Sequence, residues 1–349
     1  MSPIKTARPL LAALALLGVV LAGASAAAQT AKNLPAGAQA LIGPAKAEGE
    51  LLIYGIAVNP DENAAFTKAF NAYYGLNAKT RILTGMHPQK AAEVIQQTKQ
   101  SVPSGIDIFW TAASVSAELD QAGALAKIDW AKEFGVESDL IYGPSGLRAQ
   151  DGTLVLVAFK TLVPADKAPK TYDDLLNPIY KGRVAMPRTA SILAYLAYGI
   201  GEDKATSWLT DMMDKQQVRL LATFPDVTAR LISGEFAVSF GVGVHLDARQ
   251  GAPVDNAPVD PVIVTPWSTY VMKDAKNPNL AKLWGYWLTT PEGQKAMDDI
   301  RAISRVGAQG TALNKLATGK KVIVVPADWT VKEAPRLTQK YGKIMELVR

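Results

Sequence analysis

An arginine and two hydroxyl residues lie where a predicted strand passes into a predicted helix. Residues 182–186 have the pattern of a buried strand, and residues 192–198 are apolar enough for a mostly buried helix. Arg188, Thr189 and Ser191 occupy the turn between them. The first backbone N–H groups of a helix lack intrahelical partners, so this turn offers hydrogen-bond donors and positive charge to an anionic ligand. The alternative is that Thr189 or Ser191 only caps the helix and that Arg188 is a solvated surface residue.

Polar and aromatic residues occupy the other predicted strand ends. An aromatic ring in such a loop can cover the apolar part of a ligand, while a polar group nearby forms a hydrogen bond with it. The tryptophans could instead pack in the core or hinge, and the histidine could be an ordinary loop residue. These positions complete the predicted ligand site: Asn59, Trp110, Thr111, Phe224, His245, Trp267 and Tyr270.

Motifs of enzyme and metal chemistry are missing from the sequence. Gly241-x-Gly243 follows a predicted strand, but Leu246 stands where a dinucleotide fingerprint requires its third glycine. We find no Gly-x-Ser-x-Gly nucleophile elbow and no carboxylate pair in a shared motif. Two histidines and no cysteine do not make a metal cluster. The sequence therefore predicts a binding protein, not an enzyme, with no cofactor and no resident metal; a secreted hydrolase is the alternative from another class.

Strands and helices alternate along most of the chain, which predicts an α/β fold with doubly wound parallel sheets. Ligands of such sheets lie at the carboxyl ends of the strands. The 349 residues are too many for one ordinary core. A loop-rich segment at 127–152 and a proline-rich segment at 253–266 indicate two crossings between lobes. We assign residues 29–152 and 266–349 to lobe 1, on which the C-terminal tail is expected to pack, and residues 153–265 to lobe 2.

The N-terminus has the three parts of a secretory signal peptide. Lys5 and Arg8 are basic, residues 10–21 form an apolar run too short to span a bilayer comfortably, and residues 26–28 are all alanine. We expect cleavage after residue 28 and a periplasmic protein, with an uncleaved anchor as the alternative. Without Lys5 and Arg8 the formal charge falls from +5 to +3. No basic run exceeds two residues, so nucleic-acid binding is not expected.

Three motifs resemble those of bacterial periplasmic solute-binding proteins of ABC importers. They are YDDLLNPIYKGRVAMP at 172–187, SGEFAV at 233–238 and LTTPEGQ at 288–294. The resemblance covers roughly residues 48–300 and is to the branch that includes ferric-iron, polyamine, sugar-phosphate and aminoethylphosphonate binders. It implies a periplasmic-binding-protein type II fold, in which two lobes joined by a two-crossing hinge close on a solute.

The resemblance also implies a partner and a mechanism. A solute that contacts both lobes favours the closed form, which docks on the permease of an ABC importer in the inner membrane. Iron binders of this family carry adjacent tyrosines where this chain has residues 241–245, which contain none. We therefore expect a monomer that binds a small anionic organic solute, with ferric iron or a polyamine as the alternative ligand.

Overall fold

The computed structural model describes residues 34–347 except Val242 and Pro258, so the predicted signal peptide lies outside the described residues. The strands are β1 (Glu50–Tyr54), β2 (Lys79–Leu83), β3 (Ile108–Ala112), β4 (Ile141–Tyr142), β5 (Gly146–Thr153), β6 (Leu156–Phe159), β7 (Val184–Pro187), β8 (Arg219–Leu221), β9 (Val238–Phe240), β10 (Val254–Ala257), β11 (Val262–Val271) and β12 (Val322–Val324).

The helices are α1 (Ala36–Glu48), α2 (Pro60–Tyr74), α3 (His87–Lys99), α4 (Ala113–Gln121), α5 (Trp130–Phe134), α6 (Ser191–Ile200), α7 (Glu202–Asp214), α8 (Phe224–Ile232), α9 (His245–Arg249), α10 (Pro278–Thr289), α11 (Pro291–Arg301), α12 (Ala312–Ala317), α13 (Ala327–Lys332) and α14 (Ala334–Leu347). Within the described ranges, none of them has the length and apolar character to span a bilayer.

Two sheets form the centres of two lobes. The seven-stranded sheet of lobe 1 has the order β2-β1-β3-β11-β5-β4, with β12 beside the first half of β11. The five-stranded sheet of lobe 2 has the order β10-β6-β9-β7-β8. The two-lobed α/β prediction is confirmed, but the sheets are mixed: β11 is antiparallel to β3 and β5, and β6 is antiparallel to β9 and β10. Strand β6 carries the chain into lobe 2 and β11 carries it back into lobe 1, and both run antiparallel to these neighbours.

Each lobe has its own aromatic core. In lobe 1, Phe70 of α2 packs on Trp284 of α10 with ring centroids 5.0 Å apart. In lobe 2, Trp208 of α7 packs on Phe240 of β9 at 5.1 Å and donates its indole N–H to Tyr172 O at 2.8 Å. Since all these rings are nearly or fully buried, each lobe buries apolar surface independently of the other.

The chain passes from lobe 1 to lobe 2 between β5 and β6, and returns between β10 and β11. Thr153 at the end of β5 pairs with Val264 of β11, and Leu156 at the start of β6 pairs with Phe240 at the end of β9. These pairs place the hinge next to the carboxyl end of β9 in lobe 2. In lobe 1, Trp267 of β11 pairs with Ala112 at the end of β3. The carboxyl ends of the parallel strands of both lobes therefore face the same cleft.

Only part of the C-terminal tail packs on lobe 1 as the sequence predicts: β12 pairs with β11, and α13 contacts α4. Leu337 and Tyr341 of α14 are buried with Leu193 of α6 in the core of lobe 2, and α14 also contacts α7. Helix α12 packs under the other face of the same sheet. Within residues 266–349, α10 and α11 therefore pack on lobe 1, whereas α12 and α14 pack on lobe 2. The buried stripe of α14 can be seen in the sequence, whereas the surface that covers it cannot.

Candidate ligand-binding site

Three loops of lobe 2 meet where β7, β8 and β9 end. The Arg188 N–H donates to Leu221 O at 2.7 Å, which joins the end of β7 to the end of β8. Gly241 follows β9 with φ +85°, and a Cβ on it would lie 2.7 Å from Ile192 Cδ1 of α6. Only glycine permits this approach, so the loop before α9 is held against the start of α6.

The N-terminus of α6 has no side-chain cap. Its N-cap residue is Ala190, whose carbonyl accepts from the N–H of Leu193 at 3.0 Å. The hydroxyls of Thr189 and Ser191 form no hydrogen bond with any residue that the structure describes, so neither acts as the cap that the alternative interpretation requires. Arg188 is exposed, and its guanidinium forms no ion pair with a described residue. The turn thus keeps its donors and its positive charge available to an anion.

Phe224 and His245 lie at the two neighbouring strand ends of lobe 2. Phe224 is the first residue of α8 and is 39% exposed, while Thr223 caps that helix by accepting from Asp226 N at 3.2 Å. His245 begins α9 and is half-buried, with a buried Nε2 that has no partner among the described residues. Burial lowers the pKa of His245, and the nearby Asp298 carboxylate opposes this shift.

The side chain of Asn59 already caps the N-terminus of α2. Its side-chain oxygen accepts from Glu62 N at 2.9 Å, and Glu62 Oε2 accepts from Asn59 N at 2.8 Å, which is a capping box at the start of α2. Glu62 also pairs with Arg301 at 2.9 Å. Asn59 is exposed and stays in the predicted site, but only its amide NH2 group is free of bonds to described residues.

His87 organises the lobe 1 side of the cleft, and the sequence analysis did not single it out as a site residue. Its Nδ1 lies 3.0 Å from Thr111 Oγ1 and its Nε2 lies 3.2 Å from Gly55 O. Because a carbonyl only accepts, Nε2 carries the proton, and neutral Nδ1 accepts from the Thr111 hydroxyl. The imidazole also meets the ring of Trp267 edge to face at 5.3 Å. Burial lowers the pKa of His87, and the hydrogen bond to Gly55 opposes this shift.

Thr111 and Trp267 therefore differ in the surface that they offer to a solute. Thr111 is only 1% exposed and its hydroxyl is engaged by His87, so it offers almost none, whereas Trp267 is half-buried. A signal for His87 exists in the sequence, because it follows β2 just as Asn59 follows β1.

Trp110 and Tyr270 differ from the prediction that they line the cleft. Trp110 has no exposed surface and packs in the core of lobe 1, with its ring against the backbone of Gly55. Tyr270 is 1% exposed and donates its hydroxyl to Tyr142 O at 3.3 Å on the opposite face of the sheet. Both lie on strands whose side chains point into helices on either side, so in this structure they contribute packing and present no surface to a solute.

An ion pair joins the two lobes near the candidate site. Arg249 Nη2 of α9 lies 3.0 Å from Asp298 Oδ2 of α11. Within the described ranges, the loop around Arg188 and the loop around Asn59 form no hydrogen bond with each other, and both residues are exposed. A cavity of about 920 Å³ lies elsewhere, on lobe 1 between residues 135–140, 286–299 and 305–311. It includes none of the predicted site residues, so we place the candidate site in the cleft between the lobes.

Solved structures with the same fold come from several bacteria. Iron-bound HitA from Pseudomonas aeruginosa is 21% identical with a TM-score of 0.65, over 84% of this chain and 99% of that one. The substrate-binding protein of an ABC transporter from Agrobacterium tumefaciens is 15% identical with a TM-score of 0.69, over 86% and 96%. AfuA from Actinobacillus pleuropneumoniae, with bound fructose-6-phosphate, is 19% identical with a TM-score of 0.60, over 86% and 99%.

These similarities establish the periplasmic-binding-protein type II fold. Comparison with curated protein sequences gives no match. The family model of bacterial extracellular solute-binding proteins matches residues 65–308, which is most of the chain. The protein therefore belongs to the family of bacterial extracellular solute-binding proteins.

Proposed function

We propose that this protein captures a small anionic organic solute in the periplasm and delivers it to the permease of an ABC importer. The solute would bind between the lobes, and its contacts with both would favour the closed form. In this proposal Arg188, Thr189 and Ser191 hold the anionic group. Asn59 and Trp267 contact the solute from lobe 1, and Phe224 and His245 contact it from lobe 2. Export through cleavage after residue 28 and a monomeric state belong to the same proposal.

The observation that supports the anionic character is the start of α6, which has no side-chain cap, beside a guanidinium that forms no ion pair with any described residue. Folded proteins usually satisfy the first N–H groups of a helix with a side-chain cap, and here two suitable hydroxyls are present but do not provide one. An arginine can hold a carboxylate or phosphate group through two parallel hydrogen bonds. The phosphorylated sugar bound to AfuA is a solute of this class.

Ferric iron is the second candidate, since HitA carries iron on the same fold. Two facts argue against it. Residues 241–245, which follow β9, include no tyrosine. The adjacent Tyr73 and Tyr74 lie at the end of α2, where Tyr74 donates to Leu283 O and burial raises its pKa well above the usual value. We expect no visible charge-transfer band when ferric citrate is added, and an intense band would favour iron over an organic anion.

A thermal-shift screen of the purified protein against phosphorylated, phosphonate and carboxylate metabolites tests the proposal. A ligand at about 100 times its dissociation constant stabilises the folded state by about 2.7 kcal/mol. We expect stabilisation by at least one organic anion and recovery of that compound unchanged after incubation. Stabilisation by cations alone would overturn the anionic assignment, and turnover of the ligand would indicate an enzyme.

A further inference from the structure

The cavity on lobe 1 contains an arginine that no described carboxylate pairs with. Arg305 lines this cavity and is half-buried. Its backbone N–H donates to Gln294 Oε1 at 2.6 Å, and its Nη2 donates to Thr289 O at 2.8 Å. Its Nε is buried without a hydrogen-bond partner in the part of the chain that the structure describes. Neutral groups therefore hold the guanidinium in place, and its charge stays uncompensated.

The buried carboxylate near Arg305 is already fully used. Asp151 accepts from Arg148 Nε at 2.7 Å, from Arg148 Nη2 at 2.6 Å and from Val306 N at 2.8 Å. Burial lowers the pKa of Arg305, repulsion from Arg148 adds to this, and Asp151 opposes it. Two guanidinium groups thus share one buried carboxylate. An anionic group that reaches Arg305 would offset the cost of burying the second charge.

Two carboxylates in the lining of the same cavity also lack ion-pair partners among the described residues. Glu137 and Asp139 are exposed, and they belong to the segment that precedes β4. Like Asp151, they oppose the effect of burial on the pKa of Arg305, so their charges act on its guanidinium. The other charged side chains of the lining are in ion pairs: Lys295 with Asp299, and Asp298 with Arg249.

The size and the charges of the cavity define a class of ligand. Its volume of about 920 Å³ lies within the range of about 300–1,000 Å³ that is usual for small-molecule sites. An inorganic anion at Arg305 would be repelled by Glu137 and Asp139, and a simple cation would be repelled by Arg305. A molecule that carries one carboxylate and one ammonium group complements both charges.

We propose that this cavity is a second ligand site, separate from the cleft, and that it binds a small amino carboxylate. The carboxylate of the ligand accepts hydrogen bonds from the Arg305 guanidinium, whose Nη1 has no partner among the described residues. The ammonium group lies towards Glu137 and Asp139. The site does not depend on which solute binds in the cleft.

Titration calorimetry with straight-chain ω-amino carboxylates of two to six carbons, from free glycine to 6-aminohexanoate, tests the proposal. Because the charged groups of the cavity are held at set positions, affinity should pass through a maximum at one chain length. Carboxylates without the amino group and amines without the carboxylate should bind more weakly at that length. Affinity that is the same for all three series would overturn the assignment to an amino carboxylate.

Arg305→Gln tests the carboxylate end of the site. It removes the charge while keeping a hydrogen-bond donor, and it should weaken the best ligand by roughly 10- to 100-fold. The matched control is Arg81→Gln on β2 of the same lobe. Arg81 is exposed, forms no ion pair with a described residue and does not line the cavity, so the control should bind like the wild type.

The double variant Glu137→Gln/Asp139→Asn tests the ammonium end with little risk to the fold, because both side chains are exposed. It should weaken the amino carboxylate by about two- to fivefold, since ion pairs at exposed positions contribute little. Binding of the corresponding carboxylate without an amino group should not weaken. If Arg305→Gln does not fold, this difference between the two ligands decides the assignment.

Arg188→Ala distinguishes the cavity from the cleft. A ligand whose binding is weakened by Arg188→Ala but not by Arg305→Gln lies in the cleft, and that result overturns the second site. Failure of every member of the series to bind overturns it as well. Neither result bears on the organic anion proposed for the cleft, which the metabolite screen tests by itself.

Discussion

At the scale of single residues, Arg188 is the most direct test of the anion site. Hydrogen bonds to charged groups contribute about 1.5–3 kcal/mol, so Arg188→Ala should weaken binding of the identified solute by roughly 10- to 100-fold. Arg188→Lys should recover only part of this loss, because a lysine ammonium lacks the two-pronged geometry. Titration calorimetry of the three proteins measures the difference. Equal affinity in wild type and Arg188→Ala would show that Arg188 is only a surface residue.

The unliganded protein provides the control for this substitution. Arg188 is exposed and forms no ion pair with a described residue, so its replacement should change the free energy of unfolding by less than about 0.5 kcal/mol.

A buried ion pair near the hinge should contribute to the stability of the fold, unlike the exposed Arg188. Arg148 Nη2 lies 2.6 Å from Asp151 Oδ2, and the Asp151 side chain has no exposed surface. Asp151 also accepts from Val306 N at 2.8 Å. Removing one partner of a buried pair leaves an uncompensated charge, so Asp151→Ala should lower the free energy of unfolding by about 3–5 kcal/mol in urea titrations.

The matched control is an exposed pair. Lys90 and Glu93 lie 2.7 Å apart on the surface of α3. Glu93→Ala should change the free energy of unfolding by less than about 1 kcal/mol. A loss of similar size at Asp151 would show that water screens the buried pair.

The candidate site shows what a sequence can and cannot reveal about single residues. Arg188 and Phe224 lie at the predicted strand ends and are exposed, because their positions depend only on a local strand-to-helix pattern. Trp110 and Tyr270 were predicted at loop mouths, but both lie within strands, and which face of a sheet is covered by helices depends on distant segments. His87 was not predicted as a site residue, because its role arises from contacts with Gly55, Thr111 and Trp267, which are far apart in sequence.

At the scale of elements, the contact between α6 and β11 leaves no room for a side chain at Gly199. A Cβ on Gly199 would lie 2.2 Å from Ile263 Cδ1. Gly199→Ala should therefore destabilise the protein by about 1–3 kcal/mol, since the packed core must shift to accept the methyl group. Thermal or urea unfolding measures the change.

Gly342 of α14 is the control for that substitution. It also lies in a helix that packs on lobe 2, but a Cβ there would meet Ala190 Cβ at an ordinary 3.9 Å. Gly342→Ala should be neutral or should stabilise by up to about 1 kcal/mol, because alanine favours the helix. Equal losses at both positions would point to helix propensity and not to packing.

The element bounds were largely predictable, and their partners were not. The residues around Arg188 form β7 and α6 close to the predicted bounds, because the apolar run and the proline are local signals. The lobe on which α14 packs depends on how well its apolar stripe, which contains Leu337 and Tyr341, fits the surface of α6. No pattern within either helix specifies that pairing.

At the scale of the whole molecule, acid should destabilise the protein partly through its two histidines. Burial lowers the pKa of both His87 and His245, whereas an unfolded chain has a histidine pKa of about 6.5. Below that pH the unfolded chain binds protons that the folded protein does not, so stability falls as the pH decreases from 7 to 5. The free energy of unfolding of His87→Gln/His245→Gln should depend less on pH in this range.

Urea titrations at pH 7, 6 and 5 compare the two proteins. The chain contains only these two histidines, so carboxylates account for whatever pH dependence the double variant retains. An unchanged slope in the double variant would mean that the imidazoles titrate alike in the folded and unfolded states.

The two ends of the described chain lie on different lobes, which makes the molecule a natural distance reporter. Helix α1 packs on α10 of lobe 1, and α14 packs on α6 of lobe 2. Ala47 and Lys343 are exposed on these two helices, and the sequence contains no cysteine that would compete for a thiol-reactive dye. A donor and an acceptor fluorophore on Ala47→Cys and Lys343→Cys would convert hinge rotation into a change of energy transfer. The change in energy transfer would then report solute binding in solution, even for a solute that has not been identified.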